Sequence, residues 1–178
     1  MAKFTHLHVH SQYSILDGMA SISQLIEKSV SLGMYNLALT DHGNMFGIKE
    51  FAQEAEKYNK NISEKIKENE EKIVKLQEQI AALEPEAEER KNAEAEKAGL
   101  EEKVAELKTQ FFKPIFGCEA YVTRITESNP EGDRRLITGK KGDARGYHLI
   151  LLAKNKTGYY NLCQRWLNRD RFILSGGH

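Results

Sequence analysis

The chain has little cysteine: Cys118 and Cys163 are its only two, they stand far apart, and no Cys-x-x-Cys pair occurs. That excludes a disulfide framework and a cysteine-based zinc knuckle, and the expected compartment is a reducing cytoplasm. Long apolar runs are missing as well. No stretch approaches the roughly 18 to 20 residues that a membrane span needs, and the opening Met1-Ala2-Lys3-Phe4-Thr5-His6 carries no signal-peptide pattern. A soluble chain without a membrane partner is expected. Neither sign of charge is in excess, because 26 basic residues balance 26 acidic ones. With 178 residues, 40% of them apolar, the sequence can build a domain core but is too short for a large polymerase or motor.

The balance of charge is uneven along the chain. Residues 59–110 hold 14 acids against 10 bases, which leaves 12 acids against 16 bases elsewhere. The same stretch has no Phe, Tyr, Trp or His and only Gly99 of the 13 glycines. Within it Ile62, Ile66, Ile73, Leu76, Ile80 and Leu83 recur at steps of three, four or seven, and Leu100, Val104, Leu107 and Phe111 resume the pattern, as the seam of two helices requires. Glu84-Pro85-Glu86 supplies the break, since proline lacks an amide donor and suits the first turn of a new helix. An antiparallel helical hairpin is expected, each arm roughly 35 Å long at the α-helical rise. It is read either as a solvated spacer or as an arm that binds a partner.

Outside the hairpin, strand and helix signals alternate. Phe4 to His10 follows a two-residue period, and Ser21-Ile22-Ser23-Gln24 is a capping box opening an amphipathic helix that Gly33 closes. Tyr35 to Thr40 reads as a short apolar strand, and a helix starting near Met45 runs into the hairpin. Lys113 to Val122 and Tyr147 to Ala153 read as further strands, the last succeeded by a helix from about Lys156. Strands separated by helical crossovers predict a parallel sheet, open or closed into a barrel. Thr123 to Gly146 has no periodicity and is a long loop.

In such folds the active face lies at the C-terminal ends of the strands. His6, His8 and His10 fall on one side of the first strand, opposite Leu7 and Val9. A lone histidine is most often structural, but His-x-His-x-His at a strand end points to metal binding, because each buried ring must place two nitrogens. Asp17 comes next in a turn, where an ordinary helix-entry acid is the plain alternative. His42 lies just past the second strand, Glu119 within the third, and His148 opens the fourth. This nitrogen and oxygen set suits Zn²⁺, Mn²⁺ or Fe²⁺, with Glu119 able to bridge two cations, and the implied reaction is phosphoester hydrolysis. Asp41 either orients His42 from behind or caps the adjoining turn. Cys118 is read as a packing residue. Arg134, Arg135, Lys140, Lys141 and Arg145 crowd the loop before His148, either as a solvated segment or as one that attracts phosphate.

Five ordered segments carry a resemblance: Phe4-Thr5-His6-Leu7-His8-Val9-His10-Ser11; Tyr13-Ser14-Ile15-Leu16-Asp17-Gly18; Leu39-Thr40-Asp41-His42-Gly43-Asn44-Met45-Phe46-Gly47; Ile115-Phe116-Gly117-Cys118-Glu119-Ala120-Tyr121-Val122; and Tyr147-His148-Leu149-Ile150-Leu151-Leu152-Ala153-Lys154-Asn155 with Gly158-Tyr159. Across roughly residues 3–163 they resemble the amino-terminal PHP (polymerase and histidinol phosphatase) domain of bacterial DNA polymerase III alpha subunits. The resemblance implies an α/β fold, a distorted TIM-like (β/α)7 PHP barrel. Here it would be truncated at its C-terminal side and would occupy residues 1–58 and 111–165, with the hairpin of residues 59–110 inserted. It also implies up to three divalent cations, Zn²⁺ or Mn²⁺. By matching position His8 and His10 are the first ligand pair, with Asp17, His42, Glu119 and His148 as further ligands and Glu119 as the bridge. The same six form the implied catalytic set. His6 stands where the wider family often has Asp, so it is either a ligand or a group behind one.

The function implied by the resemblance is metal-dependent phosphoesterase or 3′–5′ exonuclease (proofreading) chemistry within a replicative polymerase. The implied partners are DNA, single-stranded or as a primer end, and other subunits of the DNA polymerase III holoenzyme. The alternatives are a catalytically inactive structural module and a stand-alone PHP phosphatase. The palm and fingers of a polymerase are missing, so the chain itself is not expected to extend DNA. The later barrel strands, with another histidine and an Asp-x-His pair, are missing too. Residues 166–178 depart from the family and look like a short piece of transketolase, too short to carry that fold, so His178 is given no role.

Overall fold

A computed structural model of the chain describes residues 4–123, 147–167 and 172–173. The basic residues Arg134, Arg135, Lys140, Lys141 and Arg145 and most of the tail, His178 included, lie outside the described residues. The chain divides into two compact units, Met1–Gln53 with Lys113–His178, and Glu54–Phe112.

In the first unit, helix α1 (Ile22–Ser31) starts where the capping box predicts. The Ser21 hydroxyl accepts from the Gln24 amide at 3.3 Å, and the Gln24 side chain accepts from the Ser21 amide at 3.0 Å, so two otherwise orphaned donors are satisfied. Past its end Gly33 takes φ +73°, the left-handed region that favours glycine. Ile22 and Ile26 give the helix its buried face. Strand β1 (Asn36–Leu39) contributes the buried Leu37, Ala38 and Leu39. Helix α2 (Ile48–Ala82) begins in this unit with the buried Ile48 and Phe51, the latter edge-on to Phe116 at 6.2 Å between ring centroids.

Strand β2 (Lys113–Thr123) is the long central strand. Its first part pairs in parallel with β1, Asn36 opposite Lys113 through Leu39 opposite Phe116. Its second part pairs with strand β3 (Tyr147–Leu152), and this pairing is antiparallel, Gly117 opposite Leu152 through Val122 opposite Tyr147. The all-parallel expectation is therefore corrected. The end of β2 lies opposite the start of β3, an antiparallel geometry that does not require a helical crossover. The long loop expected from Thr123 to Gly146 lies, beyond Thr123, outside the described residues. Gly117 permits the close pairing, because a Cβ there would lie 2.4 Å from the Leu151 carbonyl oxygen. Helix α4 (Lys156–Leu167) comes next, with the Asn155 side chain accepting from the Gly158 amide at 2.9 Å. A two-residue strand, β4 (Phe172–Ile173), pairs in parallel with Val122 and Thr123. The result is a mixed α/β sheet.

The stretch Phe4 to His10 runs beside β1 but is not a regular strand. The Ala38 amide donates to His6 O and the Thr40 amide to Val9 O, both at 2.9 Å, with one isolated bridge between His6 and Leu37. Two residues on one side thus answer to three on the other, an insertion of the bulge type that ends strict alternation. This physical cause separates His6 from the two later histidines.

In the second unit, the rest of α2 and helix α3 (Glu88–Thr109) are joined through Leu83 to Ala87, around Pro85. Ile62, Ile66, Val104 and Leu107 form its buried cluster, with Tyr58, Ile73 and Phe111 against it. The Asn59 side chain clamps Phe112, accepting from its amide at 2.7 Å and donating to its carbonyl at 2.9 Å. Lys108 and Glu70 pair across the arms at 3.0 Å. Among the described residues no helix is long and apolar enough to cross a membrane.

Candidate metal centre

Alternation along β2 decides which side chains share a face. Glu119 and Tyr121 point one way, and Cys118 and Ala120 the other. The backbone past β1 keeps pairing with β2, the Gly43 amide donating to Glu119 O and the Glu119 amide to Asp41 O, so His42 arrives opposite Glu119. On the other side of β2 the register sets His148 opposite Tyr121. Beyond β1, His8 and His10 complete the group, with their Nε2 atoms 3.1 Å apart.

These groups converge on one carboxylate. Glu119 Oε2 lies 2.9 Å from His10 Nε2, 2.9 Å from His42 Nδ1 and 3.6 Å from His8 Nε2, while Glu119 Oε1 lies 2.7 Å from His148 Nδ1. Two sets of donors result, His8 with His10 and Glu119, and His42 with Glu119 and His148, each with its ligand atoms within 4.8 Å of one another. Asp17 stands beside the second set, its Oδ2 3.4 Å from His42 Nδ1. His6 belongs to neither set; its ring lies edge-on to Phe4 at 4.7 Å. The sets fit divalent cations by chemistry as well as spacing, since imidazole nitrogens and a shared carboxylate are what borderline metals bind.

Glu119 is only 4% exposed, while His8, His148 and Asp17 are each about half exposed. Burial alone would raise the Glu119 pKa, but His148, His10 and His42 outweigh it and hold the carboxyl below its ordinary value. The buried group at the centre therefore keeps the charged form a ligand needs. Cys118, on the opposite face, is buried, and burial pushes its thiol up to about 11. That favours packing over ligation.

Sequence reasoning named Asp41 as a group behind His42 but missed two features. The first is the pair of serines, Ser11 and Ser14, that make Asp41 the centre of a buried network under the site. Asp41 Oδ1 accepts from the Ser11 amide at 2.7 Å and the Ser14 hydroxyl at 2.6 Å, its Oδ2 from the Ser11 hydroxyl at 2.9 Å, and Ser14 Oγ accepts from the His42 amide at 2.9 Å. Asp41 therefore holds the loop that carries Asp17 against the turn that carries His42, and acts on His42 through Ser14. Asn44 adds a stitch, donating to Tyr13 O at 2.9 Å. The second is Tyr121, whose hydroxyl is hydrogen-bonded to His42 Nε2. The available signal was its position two residues after Glu119 on one strand.

A mixed α/β sheet with a carboxylate and four imidazoles gathered from separate segments defines a class that comparison with known proteins identifies. The profile of the PHP domain matches residues 6–166, and the chain belongs to that family. It is similar to DNA polymerase III subunit alpha of Borreliella burgdorferi, 35% identical over 161 residues covering 90% of this chain and 9% of that protein. The subunit of the same name from Treponema pallidum is 36% identical over 159 residues, 89% of this chain and 8% of that protein. That of Chlamydia pneumoniae is 29% identical over 157 residues, 88% and 8%. The chain thus spans under a tenth of the length of the curated relatives it matches.

Proposed function

We propose that the chain is the amino-terminal PHP domain of a replicative DNA polymerase III alpha subunit, working in the cytoplasm, and that its cluster hydrolyses phosphoesters with the 3′ end of DNA as substrate. On this reading residues 1–58 and 111–165 are part of a (β/α)7 barrel, and residues 59–110 are a helical insertion. DNA and the other holoenzyme subunits are its partners, and the basic residues before His148 draw in phosphate. The observation that carries the chemistry is Glu119, a buried carboxylate with one oxygen turned to His8, His10 and His42 and the other to His148.

His8, His10, Asp17, His42, Glu119 and His148 would hold the cations. Bound Zn²⁺ or Mn²⁺ would supply an activated water and neutralise charge on the phosphoryl group. The chain's own contribution is to position. The Asp41 network fixes the two loops, burial protects Glu119, and the half-exposed His8, His148 and Asp17 leave the mouth open to a phosphodiester end. The test is elemental analysis with hydrolysis of single-stranded DNA and of a small aryl phosphodiester, on this chain and on one extended towards the full length of the relatives. Metal content with 3′ trimming of DNA supports the reading, and preference for the small ester would favour a stand-alone phosphatase.

One observation favours a second reading, that of a structural module. Among the described residues no buried side-chain nitrogen or oxygen lacks a partner, so the imidazoles around the buried Glu119 satisfy its carboxylate without a cation. In that case His8→Ala and His10→Ala lower thermal stability while no hydrolysis is there to lose.

A further inference from the structure

Tyr121 shares the Glu119 face of β2 and lies directly across from His148. Its ring meets two imidazoles edge-on, His42 at 4.8 Å and 78° and His148 at 4.9 Å and 90° between ring planes. The two nitrogens of His42 look in opposite directions. Nδ1 faces Glu119 Oε2 at 2.9 Å and Asp17 Oδ2 at 3.4 Å, whereas Nε2 meets the Tyr121 hydroxyl. An imidazole that gives one nitrogen to a cation carries its proton on the other, and the group that receives that proton fixes the tautomer and the ring orientation. A hydroxyl serves this purpose well, because it both donates and accepts and can turn to suit the ring before and after a cation arrives.

We propose that Tyr121 is a positioning residue of the centre. Its hydroxyl accepts the Nε2–H of His42, which makes Nδ1 the ligand atom, and its ring sets the edges of His42 and His148. This rests on reading the cluster as a metal centre.

Two measurements test it. In the Zn²⁺-loaded wild-type chain, long-range ¹⁵N–¹H spectra of the imidazoles should show His42 with its proton on Nε2 and the metal on Nδ1. Tyr121→Phe keeps the ring and removes the hydroxyl. It should weaken Zn²⁺ binding at the set containing His42 by about 10- to 100-fold, the usual effect of losing such a partner, while leaving the set of His8 and His10 unchanged. Should the variant fail to fold, the wild-type spectrum decides alone. A metal on His42 Nε2, or Zn²⁺ affinity in Tyr121→Phe equal to wild type, overturns the proposal. A wild-type chain that takes up no Zn²⁺ overturns the metal reading and this proposal with it.

Discussion

Glu119 concentrates the electrostatics of the site, and its behaviour with pH is a direct consequence. Its carboxyl is held below the ordinary value of 4.5 because three imidazoles outweigh the cost of burial. A group whose pKa is depressed in the folded state contributes stability above its unfolded pKa and loses it as pH falls through the folded one. The melting temperature of the metal-free chain should therefore drop on acidification from about pH 5 towards pH 3, and in Glu119→Gln this drop should be smaller. Circular dichroism melts across that range check it, and equal slopes in the two proteins would contradict it. Asp41 makes a second prediction at this scale. Asp41→Ala leaves the Ser11 amide and two buried hydroxyls without their acceptor and should cost about 3 kcal/mol in urea unfolding, since each such orphan costs roughly 1–3 kcal/mol. A loss under about 1 kcal/mol, the low end of that range, would show the network to be incidental.

Residue types told much of this in advance. Histidines and acids at successive strand ends nominate His8, His10, Asp17, His42, Glu119 and His148, and the structure brings all six to one place. Ser11, Ser14 and Tyr121 were not legible in that way, because serine and tyrosine are common and their partners lie some 30 or 80 residues away in the chain. By strand alternation alone His6 shares a side with His8 and His10, and the sequence leaves its role open between a ligand and a group behind one. The inserted residue that sets it apart arises from pairing with β1, which no local pattern records.

Elements governed by local chemistry were the most legible. The capping box at Ser21, the glycine after α1 and the break around Pro85 act within a few residues of themselves, so their effects survive any tertiary context. Strand direction does not have that property. Nothing within Tyr147 to Leu152 says whether it runs with or against β2, and the missing helical period between them was the only hint of a reversal. The hairpin offers a prediction of its own. Ile66 is buried in its cluster, and Ile66→Ala should cost about 3 kcal/mol, within the usual range for truncating a buried isoleucine. Hydrogen exchange should show lost protection in α2 and α3 near that position, with metal content unchanged. A fall in metal content would mean that the hairpin supports the site.

At the scale of the whole molecule, strands that pair around β2 deliver side chains from distant parts of the sequence to one carboxylate. Two donor sets sharing Glu119 imply an unequal response to mutation. A metal titration paired with elemental analysis of wild type, His148→Ala and Glu119→Gln reads it directly. The wild-type chain should take up two equivalents of Zn²⁺ or Mn²⁺, His148→Ala should retain the one held by His8, His10 and Glu119, and Glu119→Gln should retain none. A folded wild-type chain that binds no divalent cation, or a Glu119→Gln chain that binds as much as wild type, would contradict the shared centre.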